Sequence, residues 1–244
     1  CLVGSEMCIR DRYIVDKRQN LHFEQLIKSL NYFGFGDGEY HHVAFGTIND
    51  SEGNPYKTRE GDAKKLEDLF KETSLQIKKI NSELDNETNK LLTNTVLTFS
   101  DLKTNRMTDY KFDLEKFTNI SGKTGIYVQY ALVRAKKLLK SSSINLGNIN
   151  LNISDFDESD LNLVRGLIKF EYYFNLALEN NEPHHLADYL YELSNLFNSM
   201  YQNENILENK KDTIKLNKLK ISEYFISHST VLMECLGLEP VEKM

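Results

Sequence analysis

The sequence has 244 residues, of which 40% are hydrophobic and 27% charged, and its formal net charge at pH 7 is −6. This length allows one large domain or two of ordinary size, each with its own core. No apolar run approaches the ~20 residues that span a bilayer, so we predict a cytoplasmic protein with no membrane partner. The negative charge argues against nonspecific coating of nucleic acid, which depends on excess positive charge. It leaves a specific RNA partner open.

The amino-terminal segment 1–12, CLVGSEMCIRDR, resembles an in-frame translation of a transposase adapter used in sequencing. We therefore leave it out of the fold prediction. The cysteines are Cys1, Cys8 and Cys235, and they form no CxxC pair, so the sequence offers neither a disulfide framework nor a zinc ribbon. Cys235 lies among apolar residues in a helical pattern, which predicts a core position.

Residues 13 to about 80 have the mixed signals of an α/β structure. Tyr13 to Val15 form a short apolar strand candidate, and helical spacing begins at Phe23. After a glycine-rich loop, the segment His42 to Ile48 is rich in β-branched and aromatic residues and predicts a strand. The turn-rich residues 49–55 follow, so we expect a hairpin or a strand that leads into a loop.

After about Leu66 the chain is predicted to be helical, and three apolar stripes at spacings of three and four indicate a helical bundle from about Lys123. Pro183 suits the first turn of the helix that carries the middle stripe, and the polar stretch 141–160 predicts an irregular connection. The stripes comprise Val128, Ala131, Leu132, Ala135, Leu138 and Leu139; Leu186, Tyr189, Leu190, Leu193, Leu196, Phe197, Met200 and Tyr201; and Ile221, Tyr224, Phe225, His228, Leu232, Cys235 and Leu236.

Three local patterns resemble functional motifs but fail on spacing or geometry. GKTG, which starts at Gly122, would need a glycine where Phe117 stands to complete a phosphate-binding loop. The glycines that start at Gly34 miss the dinucleotide pattern, because Glu39 occupies the third glycine's place. Neighbouring side chains on a helix diverge by roughly 100°, so we predict no metal site at His184 and His185.

Four polar segments in the first half carry more information: VDKRQNLH from Val15, HVAFG from His42, YKTREG from Tyr56 and NRMTDYKFD from Asn105. A glycine-bounded loop with a lysine, a threonine and an arginine could neutralise phosphate charge during nucleotidyl transfer, although such a loop is more often a plain surface turn. The order and identity of the segments resemble arginyl-tRNA synthetase, a class I enzyme. The resemblance covers nearly all of residues 13–244 and corresponds to the back half of such an enzyme, so we interpret the chain as a fragment.

The resemblance implies site residues in the first half. Gln19 matches the glutamine that binds the substrate arginine, and an amide suits that ligand. The YKTREG segment is similar to the mobile KMSKS loop that closes on ATP, which makes Lys57, Thr58 and Arg59 the catalytic candidates. Pro55 and Glu60 replace lysines of the motif, and Lys57 is the candidate for the missing phosphate-binding lysine. The residues implied for ATP binding are His22, His42, Gly46, Lys57 and Arg59, with Mg²⁺ accompanying the ATP phosphates.

The second half resembles the anticodon-binding bundle that is named for an Asp-Ala-Leu-Arg motif. ISGKTGIYVQYALVRA, which starts at Ile120, agrees with the family pattern, although Ile126 replaces its usual proline. Gln129, Arg134 and Tyr201 are the implied tRNA-binding residues. The aromatic residues Tyr189, Phe197 and Tyr201 have a core position as their first interpretation, although an exposed tyrosine could stack on an anticodon base. His228 is interpreted as a packed core histidine.

The predicted fold is therefore an α/β remnant of a Rossmann-type class I catalytic domain in residues 13–122, followed by an all-α anticodon-binding bundle in residues 123–244. The implied partners are tRNA-Arg, arginine and ATP, and we expect a monomer. A sheet cut through its core would expose strand edges and apolar faces, so we predict that residues 13–80 are less stable than the bundle.

The implied activity is the ATP-dependent attachment of arginine to tRNA-Arg through arginyl-adenylate. The chain contains no His-x-Gly-His motif, which the family places upstream of the segments present here, so we predict that this polypeptide alone is inactive. The alternative is a non-catalytic module that binds tRNA or packs against another helical protein. A continuous upstream reading frame that encodes the missing motif would favour the enzyme, whereas a start codon close before Tyr13 would favour the module.

Overall fold

The computed structural model describes residues 10–35, 38–49, 65–147, 149–203 and 205–244. The chain divides into two compact units, one from Cys1–Ala63 with Thr104–Phe112 and the other from Lys64–Lys103 with Asp113–Met244. Within the described ranges, every β-strand belongs to the first unit, and the second is helical. No helix in these ranges has the length and apolar character needed to cross a membrane.

The first unit is built on parallel strand pairs. Strand β1 (Arg10–Asp16) pairs with β2 (Glu39–Phe45) in a register that runs from Arg10 opposite Glu39 to Asp16 opposite Phe45. Helix α1 (Asn20–Phe33) connects the two strands, as a parallel pair requires. Strand β3 (Ile48–Asn49) pairs in parallel with β4 (Tyr110–Lys111), so the predicted strand from His42 is interrupted after Phe45 and does not form a hairpin with β3.

The predicted strand at Tyr13 to Val15 and the predicted helix after Phe23 are both confirmed. Arg10 to Arg12, the last residues of the adapter-like segment, form the start of β1, and residues 1–9 lie outside the described ranges. The origin of residues 1–12 stays a prediction.

Much of the apolar surface of the first unit is not covered by its described residues. Phe23 is the one buried residue of α1, at 9% exposure. Large apolar side chains on β1, on α1 and just after α1 remain mostly exposed, namely Ile14, Leu21, Tyr32, Phe33 and Phe35. Burial of apolar area is the main source of folding free energy, so the described residues of this unit gain little stabilisation from one another in this way.

The second unit contains eight helices within its described residues. Its core is formed mainly by α5, α6, α8 and α9. The bounds are α2 (Leu66–Ile80), α3 (Asn86–Leu102), α4 (Leu114–Phe117), α5 (Gly125–Ser142), α6 (Glu158–Leu167), α7 (Phe170–Asn180), α8 (His184–Asn203) and α9 (Asp212–Cys235). The prediction that helical structure begins near Leu66 is confirmed, and Pro183 directly precedes α8.

The apolar stripe of α8 is confirmed and lies at the centre of this unit. Tyr189, Leu193 and Phe197 are fully buried, and the Phe197 ring stacks on Phe225 of α9 with 4.5 Å between centroids. Gly166 of α6 allows close packing on α8, because a Cβ at this position would lie 2.7 Å from Leu196 Cδ1. The predicted stripe of α5 is also confirmed, with all members buried except the half-buried Leu139.

The predicted stripe of α9 is partly wrong. Tyr224 and Cys235 are exposed, whereas Leu219 and Met233, which the stripe did not include, are fully buried. The buried face is turned away from these two positions because α9 packs on α5, α6 and α8 rather than on one neighbour. His228 is half-buried. Its ring lies edge-on to Phe170, and its Nδ1 atom is 2.8 Å from the Tyr224 carbonyl oxygen.

The predicted irregular connection in residues 141–160 is confirmed between the end of α5 and the start of α6, apart from a short 3-10 turn at Ile153–Asp155. This connection is not a loose surface insertion. Leu146 is buried in the core, and Ile149, Leu151 and Phe156 pack against it.

A buried lysine joins α9 to the start of α6. Lys218 is fully buried, and its Nζ atom lies 2.7 Å from both Asp157 Oδ2 and Asp160 Oδ1. These two aspartates form the capping box of α6. Burial acts to raise the pKa of Asp157, but hydrogen bonds from Lys218, Ser159 and the Asp160 backbone outweigh it and lower the pKa to about 2. Burial raises the pKa of Asp160 despite its hydrogen bond from Lys218, and the hydrogen bonds to both aspartates raise the pKa of Lys218 against the effect of burial.

Replacing Lys218 by methionine should destabilise the helical unit, because Asp160 would remain buried without its cation. Breaking a buried ion pair in this way typically costs about 3–5 kcal/mol. The measurement is urea unfolding followed by far-ultraviolet circular dichroism. Lys220→Met is the matched control, since Lys220 lies on the same helix but pairs with Glu223 at the surface. Equal losses of stability in the two variants would contradict the structural role of Lys218.

Candidate functional site

Those predicted site residues of the first unit that the structure describes lie near one edge of its main strand pair. Gln19 ends the short 3-10 turn that follows β1, and Gly46 directly follows β2. Both strands end here, and ligands of open α/β sheets bind at the carboxyl ends of parallel strands. The side chains of Gln19 and His22 are exposed and therefore accessible to a ligand.

The rings of His42 and His22 both contact the ring of Phe23. His42 stacks on Phe23 with 4.8 Å between ring centroids, and His22 meets the same ring edge-on at 5.5 Å. His42 Nδ1 lies 3.2 Å from Asn20 Oδ1. Its Nε2 atom is shielded from solvent and has no hydrogen-bond partner among the described residues. Sequence reasoning missed Asn20 and Phe23, although Phe23 could have been found as the first apolar residue of the predicted helix.

Gly46 is required by the close approach of another backbone segment. Its N–H donates to the Arg106 carbonyl oxygen at 2.6 Å. A Cβ at this position would lie 2.8 Å from Thr108 backbone atoms and from Asp109 Oδ1. A side chain here would therefore force the backbone apart. The structure gives Gly46 a packing role, and the ATP contact implied for it stays a prediction.

Asp109 joins Thr47, which directly precedes β3, to Lys17, which directly follows β1. It accepts hydrogen bonds from the Thr47 N–H at 2.7 Å and from Lys17 Nζ at 2.9 Å. The Thr47 N–H, followed by Lys17, lowers the pKa of Asp109 to about 2, so the carboxylate is ionised at neutral pH. The segment from Asn105, which resembles the passage into the bundle, thus contributes β4 and this carboxylate to the first unit. Sequence reasoning assigned neither Lys17 nor Asp109.

Lys57, Thr58 and Arg59 lie outside the described residues. Their catalytic and ATP-binding roles, and the proposal that Lys57 replaces the missing lysine of the motif, stay predictions.

Gln129 does not face solvent, which is inconsistent with direct contact to tRNA. The side chain is fully buried, and its Nε2 atom donates to Thr95 Oγ1 at 3.0 Å and to the Glu239 carbonyl oxygen at 2.7 Å. Its Oε1 atom accepts from the Val241 N–H at 3.0 Å. Gln129 therefore fastens the carboxyl-terminal segment to α3 and α5. Gln129 lies four residues after Gly125 and three before Leu132, both buried, and this spacing could have indicated that it shares their face of α5.

Arg134 and Tyr201 are brought together between α5 and α8. The Arg134 guanidinium lies 4.5 Å from the ring centre of Tyr130 and 4.9 Å from that of Tyr201. It donates to Asn198 Oδ1 at 2.9 Å and to the Tyr130 hydroxyl at 2.8 Å. Tyr201 is half-buried, so its predicted core position is only partly right. Asn198 lies outside the apolar stripe of α8 and was not among the predicted site residues.

His184 and His185 do not diverge as the sequence argument assumed. Their ring centroids lie 4.0 Å apart, and Glu182 joins them in a group whose ligand atoms are all within 4.8 Å of one another. The angle of roughly 100° separates the Cα–Cβ directions, but long side chains at the first turn can rotate back toward each other.

Replacing Gly46 by alanine should loosen the first unit, because the Thr108 backbone must move away from the new Cβ. Overpacking of this kind costs about 1–3 kcal/mol. Hydrogen exchange of peptides that cover β2 and β4 should therefore become faster. Gly147→Ala is the matched control, because a Cβ at Gly147 meets no atom closer than 3.5 Å. Unchanged protection of both strands in Gly46→Ala would show that the close approach is not required.

The chain matches two family models in succession. Residues 6–114 match the model described as "tRNA synthetases class I (R), catalytic domain", and residues 128–244 match the DALR anticodon binding domain. The arginine–tRNA ligases of Alcanivorax borkumensis and Francisella tularensis are 31% and 33% identical to the chain over 95% of its length. The chain spans about two fifths of these curated relatives, 41% and 42%.

Solved structures give the same result. The arginyl-tRNA synthetase of Plasmodium falciparum is similar over 97% of this chain, with a TM-score of 0.79 and 26% identity, and 42% of that protein is covered. The Thermus thermophilus arginyl-tRNA synthetase has a TM-score of 0.83 at 22% identity, over 96% of this chain and 41% of its own length. That second likeness supports the fold. With the two family models and the curated relatives, these matches show that the chain belongs to the arginyl-tRNA synthetase family.

Proposed function

We propose that this chain is part of an arginine–tRNA ligase, which uses ATP to attach arginine to tRNA-Arg through arginyl-adenylate. The observation that carries the proposal is the order of the two family matches, catalytic and then anticodon-binding. The fold supports it, because an α/β unit holds most of the catalytic match and a helical unit holds the whole anticodon-binding match. Membership of a class I synthetase family implies that ATP is used.

The amino-acid and nucleotide side of the site is proposed to lie at the carboxyl ends of β1 and β2. The exposed Gln19 amide would hydrogen-bond the substrate arginine. His22, His42 and Gly46 would border the nucleotide. The shielded Nε2 atom of His42, which has no hydrogen-bond partner among the residues that the structure describes, fits a site that receives a polar ligand. Bound ATP supplies the adenylyl group that activates the arginine carboxylate.

The charge needed around the ATP phosphates is proposed to come from the loop that carries Lys57, Thr58 and Arg59. Lysine and arginine neutralise phosphate oxygens, and the threonine hydroxyl adds a hydrogen-bond donor. Mg²⁺ would accompany the phosphates.

The tRNA-binding surface is proposed to include Arg134, Tyr130 and Tyr201. The guanidinium is held between two tyrosine rings and by Asn198, so its position is fixed before any ligand binds. A fixed guanidinium can contact a phosphate through its N–H groups, and the exposed part of Tyr130 offers an aromatic face to a base. Gln129 is not included, because its three hydrogen bonds lie inside the helical unit.

Replacing Arg134 by methionine, or Tyr201 by alanine, should weaken binding of a tRNA-Arg transcript to this chain. Loss of one stacking contact typically costs about 1–3 kcal/mol, which corresponds to roughly 5- to 150-fold in affinity. If Arg134 contacts a phosphate, the slope of log affinity against log salt concentration should also become shallower by about one unit in Arg134→Met. Filter binding at several salt concentrations measures both effects.

The matched control for the tRNA measurement is Arg165→Met. Arg165 is an exposed arginine on α6 of the same unit, and it pairs with Glu158. Arg134→Lys keeps the charge but loses the planar group between the rings, so it separates stacking from charge. Unchanged tRNA affinity in both Arg134→Met and Tyr201→Ala, with normal circular dichroism, would remove these residues from the proposed surface.

The isolated chain should not charge tRNA-Arg, because its sequence contains no His-x-Gly-His motif to help orient ATP. The measurement is the formation of labelled arginyl-tRNA with ATP, Mg²⁺ and arginine, using the Francisella tularensis arginine–tRNA ligase as the active control. Arginyl-tRNA that accumulates in proportion to the amount of this chain would show that the residues present are sufficient.

A further inference from the structure

The turn between α7 and α8 brings two histidines and a glutamate together on a fixed backbone. Helix α7 ends at Asn180, and Asn181 adopts a left-handed conformation with φ of 53°. The Glu182 N–H donates to the Ala177 carbonyl oxygen at 2.9 Å, and the Pro183 carbonyl accepts from the Leu186 N–H at 3.0 Å. The backbone that carries the three side chains is therefore held by hydrogen bonds on both sides of the turn.

The three side chains converge on a small volume. Glu182, His184 and His185 each provide one ligand atom, and these atoms lie within 4.8 Å of one another. The two imidazole rings are tilted by 35° with 4.0 Å between their centroids, and His185 Nε2 lies 3.1 Å from Glu182 Oε2. All three residues are half-buried, so their positions are restricted by the surrounding protein and yet remain accessible.

The pair of rings also leaves a hydrogen-bonding atom unused. His184 Nδ1 is shielded from solvent and has no hydrogen-bond partner within the described part of the chain. A shielded polar atom without a partner is costly, and such atoms often indicate a ligand or an ion. Asp188, one turn further along α8, forms an ion pair with Lys123, so the nearby lysine charge is already neutralised.

We propose that Glu182, His184 and His185 form a binding site for a single zinc ion, with water completing the coordination. Two imidazole nitrogens and one carboxylate oxygen are a ligand set that Zn²⁺ accepts, usually in tetrahedral geometry with bonds of about 2.0–2.2 Å. Mg²⁺ and Ca²⁺ prefer sites made entirely of oxygen atoms. Bonds of this length place tetrahedral ligands closer together than 4.8 Å, and small rotations of the side chains bring the ligand atoms inward.

Bound zinc would tie Glu182, in the turn before α8, to the first turn of that helix. The positive end of the helix dipole disfavours a cation at this position, and the Glu182 carboxylate opposes that effect. Because the folded chain holds the three ligands together and an unfolded chain does not, zinc would stabilise the α7–α8 turn by mass action. This role does not depend on the proposed synthetase function.

The test is zinc titration of the complete 244-residue chain, without an affinity tag and with Cys1, Cys8 and Cys235 replaced by serine to remove thiol ligands. Isothermal titration with Zn²⁺ should give one equivalent bound. The expected result is that His185→Gln, His184→Gln and Glu182→Gln each weaken binding at least about tenfold. Zinc should raise the Tm of the parent protein and have no such effect on His185→Gln.

His228→Gln is the matched control, because His228 is also a half-buried helical histidine but lies against Phe170 and outside the group. It should bind zinc as the parent does. Circular dichroism confirms that each variant is folded, and Glu182→Gln, which replaces a residue outside any helix, keeps the test valid if a histidine variant unfolds. Absence of zinc binding by the parent, or equal affinity in His185→Gln and the parent, would overturn the proposal.

Discussion

The burial of one face of α8 is the constraint on which the helical unit depends. Helix α8 contacts α5, α6, α7 and α9, and Tyr189, Leu190, Leu193, Phe197 and Met200 are fully buried. Each such side chain contributes about 1.5–3 kcal/mol when it leaves water. The positions of α5 and α9, and with them the place of Arg134 between α5 and α8, follow from how these side chains are covered.

Polar groups inside the helical unit favour one arrangement of the helices. Apolar packing alone would define that arrangement less strictly. The Tyr189 hydroxyl donates to the Gly166 carbonyl oxygen at 2.9 Å, and Lys218 binds both aspartates at the start of α6. Gln129 joins α3, α5 and the carboxyl-terminal segment. A shift of any of these helices would leave a buried donor or acceptor unpaired, which costs more than the lost contact alone.

The first unit has a different physical character. Its strands are parallel, and parallel sheets are normally covered on both faces. Within the described residues of this unit, the apolar side chains of Ile14, Tyr32 and Phe33 remain exposed. The order in this unit comes from specific contacts near the strand ends, including Gly46 against the Thr108 backbone and Asp109 between Thr47 and Lys17. The candidate ligand-binding residues lie in this same region.

The sequence by itself determined the family, the α/β-then-helical order and the apolar stripes of α5 and α8, because these depend on residue identity and short-range periodicity. It also predicted Arg134 and Tyr201 as tRNA-binding residues, a role that stays a proposal. Only the tertiary structure decided that Gln129 is buried, that Tyr224 and Cys235 of α9 face solvent, and that the segment from Asn105 pairs with β3. It likewise brought Glu182, His184 and His185 together. These outcomes depend on which neighbours cover each face and on side-chain rotation, and neither is encoded in the spacing of residues along one helix.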